Sequence, residues 1–103
     1  MICSRNDVIL LPIPFTDLTS RKVRPAVVIG VSGADLLLVP ISSQRANTDF
    51  ELAHWQAAGL NVPCGIKAQL ASVDHKRVIK IVGKLHPTDV ETLNNRLRSW
   101  IQL

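Results

Sequence analysis

Two short apolar runs, Pro25 to Val31 and Leu36 to Ile41, are separated only by Ser32-Gly33-Ala34-Asp35. Runs of β-branched and leucine residues joined by a short glycine-containing link predict a β-hairpin. Antiparallel pairing brings the chain back to the edge it started from. The residues entering the first strand, Arg24 among them, must then lie near Ser42, Ser43 and Gln44, which leave the second. A guanidinium faces two hydroxyls and an amide in that arrangement. A planar guanidinium donates two parallel hydrogen bonds to a phosphate, and hydroxyls serve its remaining oxygens. Taken singly, the same residues also read as a solvated arginine before a strand and a polar turn after one.

Charge agrees with an anionic ligand without choosing one. The 103 residues carry Lys+Arg 12 against Asp+Glu 8, a formal charge of +4 with pI about 9.6, which favours nucleic acid or an acidic peptide as partner. This length fits one domain with one core, and 47% hydrophobic residues exclude a disordered chain. Cys3 and Cys64 are far apart, with no Cys-x-x-Cys and no histidine at ligand spacing, so neither a disulfide framework nor a zinc site is indicated. With no signal-peptide pattern and no run approaching membrane-spanning length, a cytoplasmic, membrane-free protein is the expectation.

Along the chain, Asp7 to Leu11 reads as a first strand ending at Pro12-Ile-Pro14. The polar loop that follows brings Arg21, Lys22 and Arg24 to the hairpin's first strand, where they read as phosphate-backbone contacts or as a solvated loop tip. Thr16 and Asp17 read as catalytic neighbours or as turn formers. Beyond Gln44, Phe50-Glu-Leu52 is a short strand, and Phe50 reads either as core or as an aromatic at a groove lip that stacks a base. His54 to Gly59 predicts a turn of helix ended by glycine, with Trp55 packed beneath it. Cys64 to Val73 predicts one strand, with Ile66, Ala68 and Leu70 on one face and Lys67, Gln69 and Ala71 on the other.

Asp74-His-Lys-Arg77 forms a charged turn into a strand from Val78 to Leu85, with Lys80 and Lys84 two periods apart on one side. Pro87 and the capping box Thr88-Asp-Val-Glu91 open a helix toward Leu103. Its apolar face is Val90, Leu93, Leu97, Trp100 and Ile101. The sum is several antiparallel strands on a small core with one C-terminal helix.

Three segments in order, Asp7 to Leu18, Lys22-Val-Arg-Pro-Ala-Val-Val-Ile29 and Val39-Pro-Ile-Ser-Ser-Gln44, resemble the MazF/PemK family of toxin endoribonucleases, the toxin halves of bacterial toxin-antitoxin pairs. The resemblance implies a mainly β fold, an SH3-like small antiparallel barrel of the CcdB/PemK type with a C-terminal α-helix, working as a homodimer. It implies metal-independent cleavage of single-stranded RNA to 2′,3′-cyclic phosphate and 5′-hydroxyl ends, no cofactor, and a neutralising antitoxin with an acidic segment. Carried over by position, it makes Arg24 the stabiliser of transition-state charge and Ser42 its hydroxyl partner. Ser43, Gln44, Arg21, Lys22, Lys67, Gln69 and Phe50 become RNA contacts.

The chain departs from part of the family at one point. Some members place an arginine and an aspartate just before the glutamine that matches Gln69, whereas Lys67 and Ala68 stand here. The lysine keeps a cation, but alanine replaces a carboxylate, which leaves the general base open among Asp17, Glu51 and Asp74. The alternative function is a non-catalytic RNA- or protein-binding module on the same fold, in the manner of the gyrase-poisoning CcdB toxins. The terminal Trp100-Ile101 resembles those, although their strands lack the Arg-Pro stretch.

Overall fold

The computed structural model describes residues 2–12 and 22–102. The hairpin expected from the sequence lies at the centre: β2 (Val23–Ser32) pairs with β3 (Asp35–Ser42). Ser32 and Asp35 are its last paired residues, so Gly33-Ala34 is a two-residue turn, with Gly33 at φ 60°. That left-handed conformation suits a residue without a Cβ. β1 (Asp7–Pro12) pairs with β2, and β7 (Lys80–Lys84) pairs with the other edge of β1. The short strands β4 (Phe50–Glu51) and β5 (Gly65–Ile66), with β6 (Ala71–Asp74), complete a seven-stranded sheet of order β4-β5-β3-β2-β1-β7, in which β6 also pairs with β3. Every pairing among the described residues is antiparallel.

β3 is the strand on which the sheet divides. Its residues Ile41 and Ser42 pair with β5, whereas Asp35 to Leu38 pair with β6. Pro40 sits at the handover, where its carbonyl accepts from the Lys67 amide at 3.0 Å. Having no N–H, it has no donor to place where the ladder breaks. The single strand expected from Cys64 to Val73 is thus two strands. Five positions separate Ile66 from Ala71, but their partners Ile41 and Leu38 are only three apart. With two residues more than their partner strand, 67–70 leave the ladder, and Leu70 is exposed rather than continuing the face of buried Ile66.

The central strands are continuously apolar because both of their faces are buried. Val8, Val27, Val39 and Ile41 join one cluster with Phe50, Leu52, Ala58, Ile66, Leu85 and Leu93. Ile9, Leu11, Ala26, Val28, Leu36 and Leu38 form another on the opposite face, with Ala71, Val73 and Val78 packed against it. The curled, barrel-like sheet with one terminal helix is the architecture that the resemblance implies. Among the described residues no helix is long and apolar enough to cross a membrane.

Helix α1 (Pro87–Ile101) covers the first cluster with Leu93, Val90, Leu97 and Trp100, while Ile101 remains half exposed. Its cap differs from the expected box. His86 is the N-cap and its Nδ1 accepts from the Thr88 amide, with Pro87 in the first turn, where a missing N–H costs nothing. Asp89 is buried, and its two carboxylate oxygens accept from the amides of Ala53 and His54, each at 2.9 Å. The segment expected as helix, His54 to Gly59, is a series of turns. Its leading amides are committed to Asp89. Its end, Gly59 at φ 88°, lies so close to β7 that a Cβ would collide with the Val82 carbonyl.

Candidate functional site

The ends of β2, β3, β5 and β7 surround an open cleft of about 840 Å³. Arg24, Ser42, Ser43, Gln44, Lys67 and Gln69 all line it. The register explains the first two. Ala26 pairs with Pro40, and continuing that alternation by two residues sets Arg24 across from Ser42 on the same face. Lys67 follows β5 directly and its backbone amide donates to the Pro40 carbonyl, which places it beside them.

Local hydrogen bonds orient the polar wall. The Ser42 hydroxyl oxygen accepts from the Gln44 backbone amide at 3.1 Å, leaving its own proton to donate into the cleft. The Asn47 side-chain amide donates to Gln44 Oε1 at 3.3 Å, across the 3-10 turn Arg45–Asn47. Asn47 also lines the cleft.

Electrostatically the cleft is one-signed. Among its described lining residues Arg24, Lys67 and Lys80 are cations, and none is Asp, Glu or His. Carboxylates are used elsewhere: Glu51 pairs with Arg45 at 3.0 Å, Asp7 with Lys84 at 3.6 Å and Asp49 with Arg96 at 3.6 Å. Arg24, Lys67 and Lys80 form no ion pair among the described residues. An unneutralised cationic cleft attracts anions and lowers the energy of charge that develops inside it. No group of three or more His, Cys, Asp or Glu side chains that could hold a metal ion occurs among the described residues.

Cys64 borders the cleft, but burial pushes its thiol pKa up, and its Sγ donates to the Val62 carbonyl at 3.2 Å. A neutral, hydrogen-bonded thiol is a poor nucleophile. Cys3, also buried, has its thiol raised by burial and further by the carboxylate of Asp7.

Other assigned residues lie elsewhere. Phe50, read as a groove-lip aromatic, is 8% exposed and belongs to the core beneath α1. It pairs with Ile66, and Arg96 covers its ring at 5.9 Å, so its faces are not open to a base. Lys22 is exposed just before β2 and does not line the cleft. Arg21 and Asp17 lie outside the described residues. Glu51 is held by Arg45, and Asp74 accepts from the Lys76 amide in the turn after β6, so neither carboxylate lines the cleft.

Lys80, Asn47 and Asn61 line the cleft, although the sequence pattern does not single them out as site residues. Period-two alternation puts Lys80 on the same side as Lys84. The pairing shifts between Val8–Gly83 and Ile9–Ile81, so Val82 is an extra residue. This bulge separates the two lysines: Lys84 lies opposite Asp7, and Lys80 lies opposite Leu10. A bulge leaves no mark in a period-two pattern, so no sequence signal identifies the switch.

Comparison with known proteins accords with this geometry. No curated protein matches the chain. Among solved structures, an endoribonuclease in complex with its cognate antitoxin from a mycobacterial species superposes with a TM-score of 0.71 at 14% identity, covering 96% of this chain and 92% of that one. At that identity the likeness is one of fold. A family profile described as PemK-like, MazF-like toxin of type II toxin-antitoxin system matches residues 4–101. The chain therefore belongs to the PemK-like, MazF-like toxins of type II toxin-antitoxin systems.

Proposed function

We propose that the chain is a sequence-specific endoribonuclease that binds single-stranded RNA in the cationic cleft and cleaves it without a metal. The observation that carries this reading is the grouping of Arg24, Ser42 and Lys67 in a cleft whose described lining has no carboxylate. In the reaction the ribose 2′-oxygen attacks the adjacent phosphorus, forming a P–O bond, and the bond to the 5′-oxygen of the next nucleotide breaks. The 2′-proton passes to water and the leaving 5′-oxygen takes a proton from water, giving a 2′,3′-cyclic phosphate and a 5′-hydroxyl.

Negative charge grows on the non-bridging oxygens as the phosphorane forms. Arg24 answers that charge with paired guanidinium donors, Ser42 donates its free hydroxyl proton, and Lys67 adds a compact positive charge. Because no carboxylate or imidazole belongs to the described lining, these residues supply positioning and charge stabilisation rather than proton abstraction. Gln69, Gln44 and Ser43 border the same cleft and are suited to contact base edges and flanking phosphates.

The protein would act as a homodimer, and its antitoxin would place an acidic segment against the same cations. The solved complex of an endoribonuclease with its cognate antitoxin supports, by analogy of fold, an antitoxin as partner. Chemistry of the new ends tests the mechanism. Products should accept phosphate from polynucleotide kinase at the 5′ end without prior phosphatase, and their 3′ ends should resist ligation until the cyclic phosphate is opened and the resulting phosphate removed. Fragments with 5′-phosphate and 3′-hydroxyl ends would refute it.

A further inference from the structure

The cleft has two unlike halves. Arg24 continues the β2 face that carries Ala26 and Val28, and it lies across from Ser42 among polar residues. On the other β2 face come Val23 and Pro25, and here the wall is apolar. Val23 is 47% exposed and Val62 49%, and both line the cleft. At the end of this wall stands Lys80, which the Val82 bulge sets opposite Leu10. Lys84 on the same strand is held by Asp7, whereas Lys80 has no ion pair among the described residues.

We infer that this apolar half is a second nucleotide subsite, in which Lys80 holds a phosphate neighbouring the scissile one and Val23 and Val62 carry its base. The inference rests on the reading of the cleft as an RNA site and deepens it. β1 lies between β2 and β7, so Arg24 and Lys80 are two strand spacings apart, roughly 10 Å at the backbone. That separation suits successive phosphates of one extended strand rather than a shared one. Exposed aliphatic surface beside an ammonium that forms no ion pair among the described residues is complementary to a nucleotide, whose base is flat and apolar and whose phosphate is anionic. No aromatic side chain belongs to the described lining, so the base packs on aliphatic groups. Phosphate contact and aliphatic packing both tolerate any sequence.

The two kinds of interaction have different signatures in salt. Removing one lysine–phosphate pairing with a single strand reduces the slope of log K against log salt by about 0.7, whereas removing base packing leaves it unchanged. The test is binding of a fluorescein-labelled 2′-O-methyl RNA of random sequence, which cannot be cleaved, followed by anisotropy from low to high salt. Lys80→Met should weaken binding about fivefold at low salt and flatten the slope by about 0.7, and Lys80→Arg should restore both. Val23→Ser and Val62→Ser should weaken binding at every salt concentration with the slope kept. Lys76→Met, at an exposed lysine outside the cleft, serves as control and should change nothing.

Wild-type protein that binds while Lys80→Met matches it in affinity and slope overturns the subsite and leaves the RNA reading standing. Wild-type protein that does not bind the probe overturns the RNA reading and this inference together. Serine variants that bind normally but turn a dimer into a monomer in sedimentation assign the wall to a second copy, and that also overturns the subsite.

Discussion

Arg24 owes its place to a short sequence fact, a strand that begins at Val23 and pairs with one ending at Ser42. Removing its guanidinium takes the paired donors from the developing phosphorane but removes no buried side chain, since Arg24 is exposed. Arg24→Ala should lower cleavage by about 100-fold or more while the thermal midpoint stays within the scatter of the wild type, checked by a discontinuous RNA assay and circular dichroism. Glu51→Gln and Asp74→Asn should leave the rate within about twofold, because losing a general base costs about 100-fold or more and neither side chain lines the cleft. The thiols give a pH effect of definite sign. Burial raises the pKa of Cys3 and Cys64 above the ordinary 9.0 in the folded state. The stability gained by keeping them neutral is fully present below 9.0 and is lost as pH rises from there through the higher folded values, because the unfolded thiols ionise first. Urea unfolding should therefore show stability falling above pH 9.0 more steeply in the wild type than in a Cys3→Ala, Cys64→Ala variant.

At the scale of elements, the hairpin and the helix were legible because each announces itself locally. Strict period-two alternation is not needed for the hairpin: two apolar runs around Gly33 suffice, as does a helical stripe ending at Trp100 for α1. What stayed hidden depended on partners distant in sequence. The break after Ile66 arises from Pro40 on another strand, the switch of Lys80 from a bulge against β1, and the turns at 53–59 from a carboxylate on α1. Phe50 passes in the sequence for a ring open to a base, because its burial depends on Ile66 and Arg96, neither adjacent in the chain. The carboxylate of Asp89 ties α1 to the turns that wall the cleft. Asp89→Ala leaves the Ala53 and His54 amides without acceptors and should cost about 2–3 kcal/mol in chemical denaturation, against under about 0.5 kcal/mol for Glu91→Ala on the exposed side of the same helix.

For the molecule as a whole, the arrangement separates its charges. Glu51, Asp7 and Asp49 are engaged in ion pairs and Asp74 and Asp89 accept backbone amides, whereas Arg24, Lys67 and Lys80 line the cleft with no ion pair among the described residues. RNA binding should consequently weaken steeply as salt rises, with a slope set by the number of phosphates contacted. A flat salt response would mean that the cleft is not where RNA lies. Arg24, Ser42, Ser43, Gln44, Lys67 and Gln69 line one cleft because their positions follow from the hairpin and the strand after it, which the sequence displays. Lys80 joins them through a bulge that it does not. The measurement that bears most directly on the central claim is incubation of the purified protein with a long single-stranded RNA in EDTA, mapping every new 5′ end. Discrete cuts at one recurring short motif, absent with Arg24→Ala, are the expected result. Intact RNA from a folded protein, or the same cuts from Arg24→Ala, would contradict it.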